Sequence, residues 1–193
     1  MPKRDVIVIG GSAGGIRACC EIIEGLPRDL PAALFIVQHV GPASQLADVL
    51  GRCGKFEVTA ASDGAAITLG KAYVAPGDRH LLLDDGHMKL SRGARENGQR
   101  PSVDALFRSA SRTYRSRVIA VVLTGALCDG AAGVLAVKQR GGLVVVQDPE
   151  TALFSSMPEN ALRAVRPDHC VRLSEIAGLL VKIVNEKKGM RKL

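Results

Sequence analysis

Three residues in this chain have the types and the settings to carry out acyl transfer: Ser12, His39 and Asp129. Ser12 lies in Gly10-Gly-Ser-Ala-Gly14, a G-x-S-x-G pattern directly after a short β-branched run, Val6–Ile9. That pattern puts a serine on a tight strand-to-helix turn whose small neighbours leave Oγ open to attack. Backbone N–H groups of Ala13 and Gly14 at the helix start then point at a developing oxyanion. A serine nucleophile needs a base, and a neutral imidazole serves near pH 7. His39 ends the next strand in sequence, whereas His80, His87 and His169 fall in a hairpin region and a late turn. Asp129 lies in the loop after a third strand, Val118–Leu123, where it can orient the imidazole and stabilise its cation.

Each residue has a plainer reading. Ser12 alone could be an idle serine in a glycine-rich turn, and Asp129 is a natural N-cap for the helix that follows it. Cys128 is a rival nucleophile at the same helix start. A dinucleotide site is the competing template for the first loop, and it fails twice: Ser12 stands where the second glycine is required, and Gln38-His39 replaces the acidic residue expected after the second strand. The chain order Ser, His, Asp departs from the Ser…Asp…His order of α/β-hydrolases, but such triads are defined by geometry.

The elements that must position these residues follow from hydrophobic patterning. Strands are predicted at Val6–Ile9, Ala33–Val37, Val118–Leu123, Leu143–Val146 and, weakly, Cys170–Leu173. Helices are predicted at Gly15–Glu24, Ser44–Leu50 with Ser44 as cap, Ser102–Tyr114 with Ser102 as cap, Gly130–Gln139, Pro158–Val165 and Ser174–Asn185. Between Phe56 and Leu90 four short strands follow one another with no helix, and Asp85-Gly86 signals a tight hairpin. The expected fold is therefore α/β: a doubly wound, mostly parallel Rossmann-like sheet with an antiparallel hairpin excursion near residues 56–90. In such sheets the reactive loops gather beyond the carboxyl ends of the strands.

Composition bounds the rest. The 193 residues imply one domain, 1–193, with a core over 5–184 and a basic tail over 185–193 that contains Lys187, Lys188, Arg191 and Lys192. Apolar residues are 47% and charged residues 23%, the balance of a globular chain. Aromatics are only 3%, which argues against base-stacking nucleic-acid platforms. The net charge is +7, and Arg92, Arg95 and Arg100 form the only internal basic cluster; a solvated loop is the first reading of it, and a surface for an acidic partner the alternative. Five cysteines without a C-x-x-C pair suggest neither a disulfide framework nor a zinc site. No signal peptide and no apolar run near the roughly 18 residues of a membrane helix is present, so a cytoplasmic protein without membrane insertion is expected.

Taken with their order, these stretches resemble the catalytic domain of the chemotaxis protein-glutamate methylesterase family. The resemblance rests on residues 8–15, Gln38-His39, residues 100–109, Val122–Gly125 with Asp129-Gly130, Gln147–Pro149 and Met157-Pro158, over roughly Asp5 to Val184. It implies Ser12 as nucleophile, His39 as base and Asp129 as third member. Ala13, Gly14, Ala126 and Met157 would form the oxyanion and substrate-binding region. The implied reaction is hydrolysis of glutamyl methyl esters on chemoreceptor cytoplasmic helices, releasing methanol, with deamidation of specific glutamines, and without metal or cofactor. Two departures stand out. Family members usually carry an N-terminal receiver domain, whereas the catalytic strand here begins within ten residues. A free-standing enzyme controlled by a separate regulatory protein in trans is one expectation, and an excised domain the other. Chemotaxis enzymes of the family also often have Met-Gly where Ala126-Leu127 stands, and Thr at Ala13. A non-catalytic module that binds receptor or signalling helices is the alternative function.

Overall fold

The computed structural model describes residues 3–186, so most of the basic tail expected over 185–193 lies outside the described residues. Strand β1 (Val6–Gly11) is central and buried throughout. It pairs in parallel with β2 (Ala33–Gln38) on one side and β7 (Val118–Val122) on the other. Successive side chains point to opposite faces of a strand, so Val6 and Val8 enter one core and Ile7 and Ile9 another. That two-sided burial explains why the strand reads as an unbroken apolar run.

The main sheet has seven parallel strands in the order β3-β4-β2-β1-β7-β8-β9, with β3 at Glu57–Ala60, β4 at Lys71–Val74, β8 at Leu143–Gln147 and β9 at His169–Val171. Helices α1 (Gly15–Gly25), α2 (Leu46–Gly51) and α6 (Leu173–Asn185) cover one face; α3 (Val103–Tyr114), α4 (Ala131–Gln139) and α5 (Ser156–Ala164) cover the other. The remaining strands, β5 (His80–Asp84) and β6 (His87–Ser91), form a separate antiparallel hairpin across Asp85-Gly86.

The doubly wound, mostly parallel architecture is as expected, and three details differ. Antiparallel pairing within residues 56–90 is confined to the hairpin, because β3 and β4 extend the main sheet in parallel through a helix-free connection. Helix α2 starts at Leu46, and Ser44 Oγ accepts a bond from its first N–H at 3.3 Å rather than capping two residues earlier. Cys20 and Cys53, expected to be free, form a disulfide with Cα atoms 5.2 Å apart, tying α1 to the end of α2.

The entry to β1 is held by charge. Asp5 is buried, with Arg117 Nε and Nη2 donating to its two oxygens at 2.8 and 3.0 Å and Lys3 Nζ at 3.1 Å. Burial pushes the Asp5 carboxyl up, but the bonds from Arg117 and Lys3 outweigh it and hold the group below the usual carboxylate range. A depressed carboxylate contributes stability above its unfolded pKa, and that contribution is lost as pH falls through the folded value. Arg117→Met leaves the buried carboxylate with Lys3 alone and is expected to lower stability by about 2 kcal/mol at pH 7. The gap to the wild type should narrow as pH falls below about 4. Urea unfolding at pH 7 and pH 3 checks both halves.

Candidate active site

Strand order reverses at β1, since the chain runs outward to β2 on one side and returns to β7 on the other. The crevice at such a switch point is where doubly wound sheets bind ligands. Ser12 follows β1, His39 follows β2 and Asp129 lies in the loop after β7, so the topology brings all three to one place.

Their geometry is a continuous hydrogen-bonded chain. Ser12 Oγ lies 3.0 Å from His39 Nδ1, and His39 Nε2 lies 2.8 Å from Asp129 Oδ2. With Asp129 ionised, the ring proton belongs on Nε2, donating to the carboxylate, which leaves the Nδ1 lone pair to accept from the serine hydroxyl. Cys128 is exposed on the same loop and is outside this chain of bonds.

Asp129 does not cap the helix that follows it. The N-cap of α4 is Gly130, at φ 103°. The carboxylate turns instead to the start of α3, taking N–H bonds from Val103 on Oδ2 at 2.8 Å and from Asp104 on Oδ1 at 3.0 Å. Oδ1 also accepts from Ser102 Oγ at 2.9 Å and from Asn97 Nδ2 at 3.0 Å. Burial pushes this carboxyl up, but the bonds from His39, Val103, Asp104 and Ser102 together hold it below the usual range. Asp129 is thus a fixed anion at a helix N-terminus, with one oxygen aimed at His39.

The serine is fixed from three sides. Its N–H donates to Thr124 O at 3.0 Å, and its carbonyl accepts from Gly15 N–H at 2.8 Å and from Gln38 Nε2; Thr124 Oγ1 also donates to Ala13 O at 3.0 Å. Gln38 fits only because Gly15 lacks a side chain: a Cβ there would lie 2.1 Å from Gln38 Oε1. Of the residues expected to bind the oxyanion and substrate, Ala13, Gly14 and Ala126 have backbone N–H groups with no acceptor among the described residues. Met157 differs. Its N–H is engaged by Gly125 O at 3.0 Å and its side chain is buried beneath Gly125, so it forms part of the floor.

Sequence reasoning missed several supporting groups. Asn97, Asp104 and Ser102 converge on Asp129 through space, and Ser102 was legible only as a helix cap. Gly125 was legible only as the end of a strand. Leu127 is a further surprise: it adopts φ 70°, a left-handed conformation costly for a branched residue, with its carbonyl held by Asn160 Nδ2 at 2.9 Å. Leu127, Leu153 beside Gly14, and Phe154, whose carbonyl accepts the Gly125 N–H, are apolar and exposed, at 62%, 75% and 46% accessible. Beyond Gly14 opens a cavity of about 540 Å³ lined by Arg17, Thr124, Gln147, Leu153 and Arg172.

A doubly wound sheet with a Ser–His–Asp hydrogen-bonded chain at its switch point belongs to a class equipped for acyl transfer from esters and amides. Comparison with known proteins narrows the class. Residues 7–180 match the sequence profile described as CheB methylesterase. A relative from Leptospira interrogans, named provisionally as a protein-glutamate methylesterase/protein-glutamine glutaminase, is 41% identical over 182 residues, which are 93% of this chain and 94% of that one. A Methanosarcina mazei protein named protein-glutamate methylesterase/protein-glutamine glutaminase 2 is 38% identical over 94% of this chain, which spans only 52% of it. The crystal structure of the Thermotoga maritima CheB methylesterase catalytic domain matches with a TM-score of 0.90 at 35% identity, covering 93% of this chain and 98% of that one. The chain belongs to the CheB methylesterase family.

Proposed function

We propose that this chain hydrolyses γ-methyl esters of glutamate side chains on the cytoplasmic helices of methylated chemoreceptors, releasing methanol, with Ser12 as nucleophile, His39 as base and Asp129 as its orienting anion. The observation that carries the reading is the Ser12–His39–Asp129 chain, at 3.0 and 2.8 Å, in a member of a methylesterase family.

His39 Nδ1 takes the hydroxyl proton as Ser12 Oγ bonds to the ester carbonyl carbon. The N–H groups of Ala13, Gly14 and Ala126 are the donors available to the resulting oxyanion. The C–O bond to the methyl group's oxygen then breaks, the proton on Nδ1 passes to it, and methanol leaves. A glutamyl ester of Ser12 remains. Water, deprotonated by the same nitrogen, attacks this ester and returns Ser12 and a free glutamate carboxylate. With a glutamine amide the same steps release ammonia, which is deamidation.

The site's surroundings support a helical protein substrate. Ser12 is half-buried, open enough for a side chain carried by another protein, and Leu127, Leu153 and Phe154 offer apolar contact beside it. The net charge of +7 draws in a helix that grows more acidic with each ester removed. Among the described residues no helix is long and apolar enough to cross a membrane. A cytoplasmic setting completes the reading.

The test is a chemoreceptor cytoplasmic fragment carrying isotopically labelled methyl esters, assayed for volatile methanol before and after treatment of the enzyme with a fluorophosphonate. Methanol release should stop when one equivalent of the phosphonate is bound, with the adduct on the peptide containing Ser12. Release that persists after labelling at Ser12, or an adduct on Cys128 instead, overturns the assignment. No release at all, with a stable complex between the chain and the fragment, favours a binding module.

A further inference from the structure

Two buried carboxylates, not one, lie behind His39. Asp104, in the first turn of α3, accepts N–H bonds from Gly130 at 3.0 Å and Gly133 at 2.6 Å, and so closes the start of α4. Asp129, just before α4, closes the start of α3. Each acid thus terminates the other's helix. Between them stands a single amide: Asn97 Nδ2 donates to Asp104 Oδ2 at 2.8 Å and to Asp129 Oδ1 at 3.0 Å. Asn97 sits on an exposed bend at φ 52°, closed by reciprocal backbone bonds between Glu96 and Gln99 at 3.1 and 2.8 Å, and only its amide reaches inward.

Two like charges this close repel, and the protein separates their behaviour. Burial pushes the Asp104 carboxyl up, opposed by the Gly133 N–H and the Asn97 amide and reinforced by the Asp129 charge. Asp129 is held down. The pair therefore has one carboxylate committed to ionisation and one whose ionisation depends on its donors. The other charged or titratable groups facing the pair are His39 on Asp129, Arg108 near Asp104 with Glu96 as its partner, and His80, which accepts the Ser102 N–H at Nδ1.

We infer that Asn97 is a positioning residue for the esterase site: its amide bridges Asp104 and Asp129, keeps the two carboxylates apart, and holds the Asp129 oxygen on His39. The inference rests on the reading of Asp129 as the orienting anion. Asn97 is chemically suited, because an amide NH₂ supplies one proton to each carboxylate and adds no charge, and asparagine tolerates a left-handed backbone. A carboxylate, a hydroxyl or water on this bend could not bridge both acids while remaining neutral and fixed.

The test uses Asn97→Gly and Asn97→Asp, both compatible with positive φ, with circular dichroism to verify the fold. For Asn97→Gly, kcat on the methylated receptor fragment is expected to fall about tenfold with KM held within about twofold, the pattern of a lost charge-assisted bond. In both variants the side-chain carboxyl carbons of Asp104 and Asp129, followed by NMR, should titrate at higher pH than in the wild type, more so with a third carboxylate at residue 97. A merely structural bend would lower stability or raise KM and leave the carboxyl titrations in place, and that result overturns the inference. Unchanged kcat overturns it too. If the titrations move but no form of the protein releases methanol, the positioning stands and the esterase reading is what has failed.

Discussion

Asp129→Asn is expected to lower kcat for methanol release about 10⁴-fold while the fold survives. Five donors point at the carboxylate: His39 Nε2–H and Val103 N–H on one oxygen, and Asn97, Ser102 and the Asp104 N–H on the other. An asparagine has one acceptor oxygen and one NH₂, so either orientation sets two hydrogen-bearing groups against each other. The least costly escape lies at the imidazole, whose proton can move from Nε2 to Nδ1 so that Nε2 accepts from the new amide. That tautomer presents an N–H to Ser12 and leaves no ring lone pair to accept the serine proton. If the amide instead keeps its oxygen toward His39, its NH₂ faces three donors, Asn97, Ser102 and the Asp104 N–H, where the first orientation opposes only the Val103 N–H. The stability change should be smaller than the activity change, because removing one charge also relieves its repulsion with Asp104. His39→Ala supplies the comparison, since it removes the imidazole and leaves the bonds from α3 to Asp129 in place. Equal turnover by Asp129→Asn and wild type, measured as methanol released per enzyme at saturating ester, would show that the hydrogen-bonded chain is not the working apparatus.

How far the sequence foretold this site depends on whether each residue's partners are local. Ser12 was legible because its setting is contiguous: a buried strand, a glycine-rich turn and a helix start all lie within Val6 to Gly15. His39 followed because parallel register places Gly11 opposite Gln38, so the residues after two neighbouring strands meet. Asp129 was legible as a candidate through its place after β7, but its local signal was misleading. The nearest helix start is α4, and the one it serves is α3, whose first N–H groups lie 26 and 25 residues back along the chain. Asn97 carries no such signal. Beside Gly98 it reads as a turn, and only the meeting of two helix starts gives its amide two acceptors. The same limit explains the sheet. Consecutive short strands without a helix suggested antiparallel hairpins, because parallel neighbours ordinarily need a helical crossover. The connection from β3 to β4 crosses without one, its Ala66 pairing with His87 beside the hairpin.

Gly125 tests whether the backbone beneath Ser12 matters as much as the hydrogen-bonded chain. A Cβ at this position would lie 2.2 Å from Met157 Sδ and 2.8 Å from Ser12 Cβ, both too close. The backbone cannot retreat, because the Gly125 N–H donates to Phe154 O and its carbonyl accepts from Met157 N, each at 3.0 Å. Gly125→Ala must therefore move side chains. Met157 is flexible but buried, so its displacement is an overpacking cost of about 1–3 kcal/mol. Ser12 has less freedom, held by Thr124 O at its N–H and by Gln38 at its carbonyl. A shift of its Cβ by several tenths of an ångström carries Oγ away from His39 Nδ1, and misplacement on that scale is expected to reduce kcat about 10²-fold. The two costs separate in a double variant. Adding Met157→Ala removes the sulfur and frees space for the new methyl, so thermal stability should recover relative to Met157→Ala alone. The contact with Ser12 Cβ remains, so methanol release should stay low. Recovery of activity together with stability would place the defect in core packing and not in the position of Ser12. Low activity in a restabilised protein would mean that the absent side chain at residue 125 is part of how Ser12 is aimed.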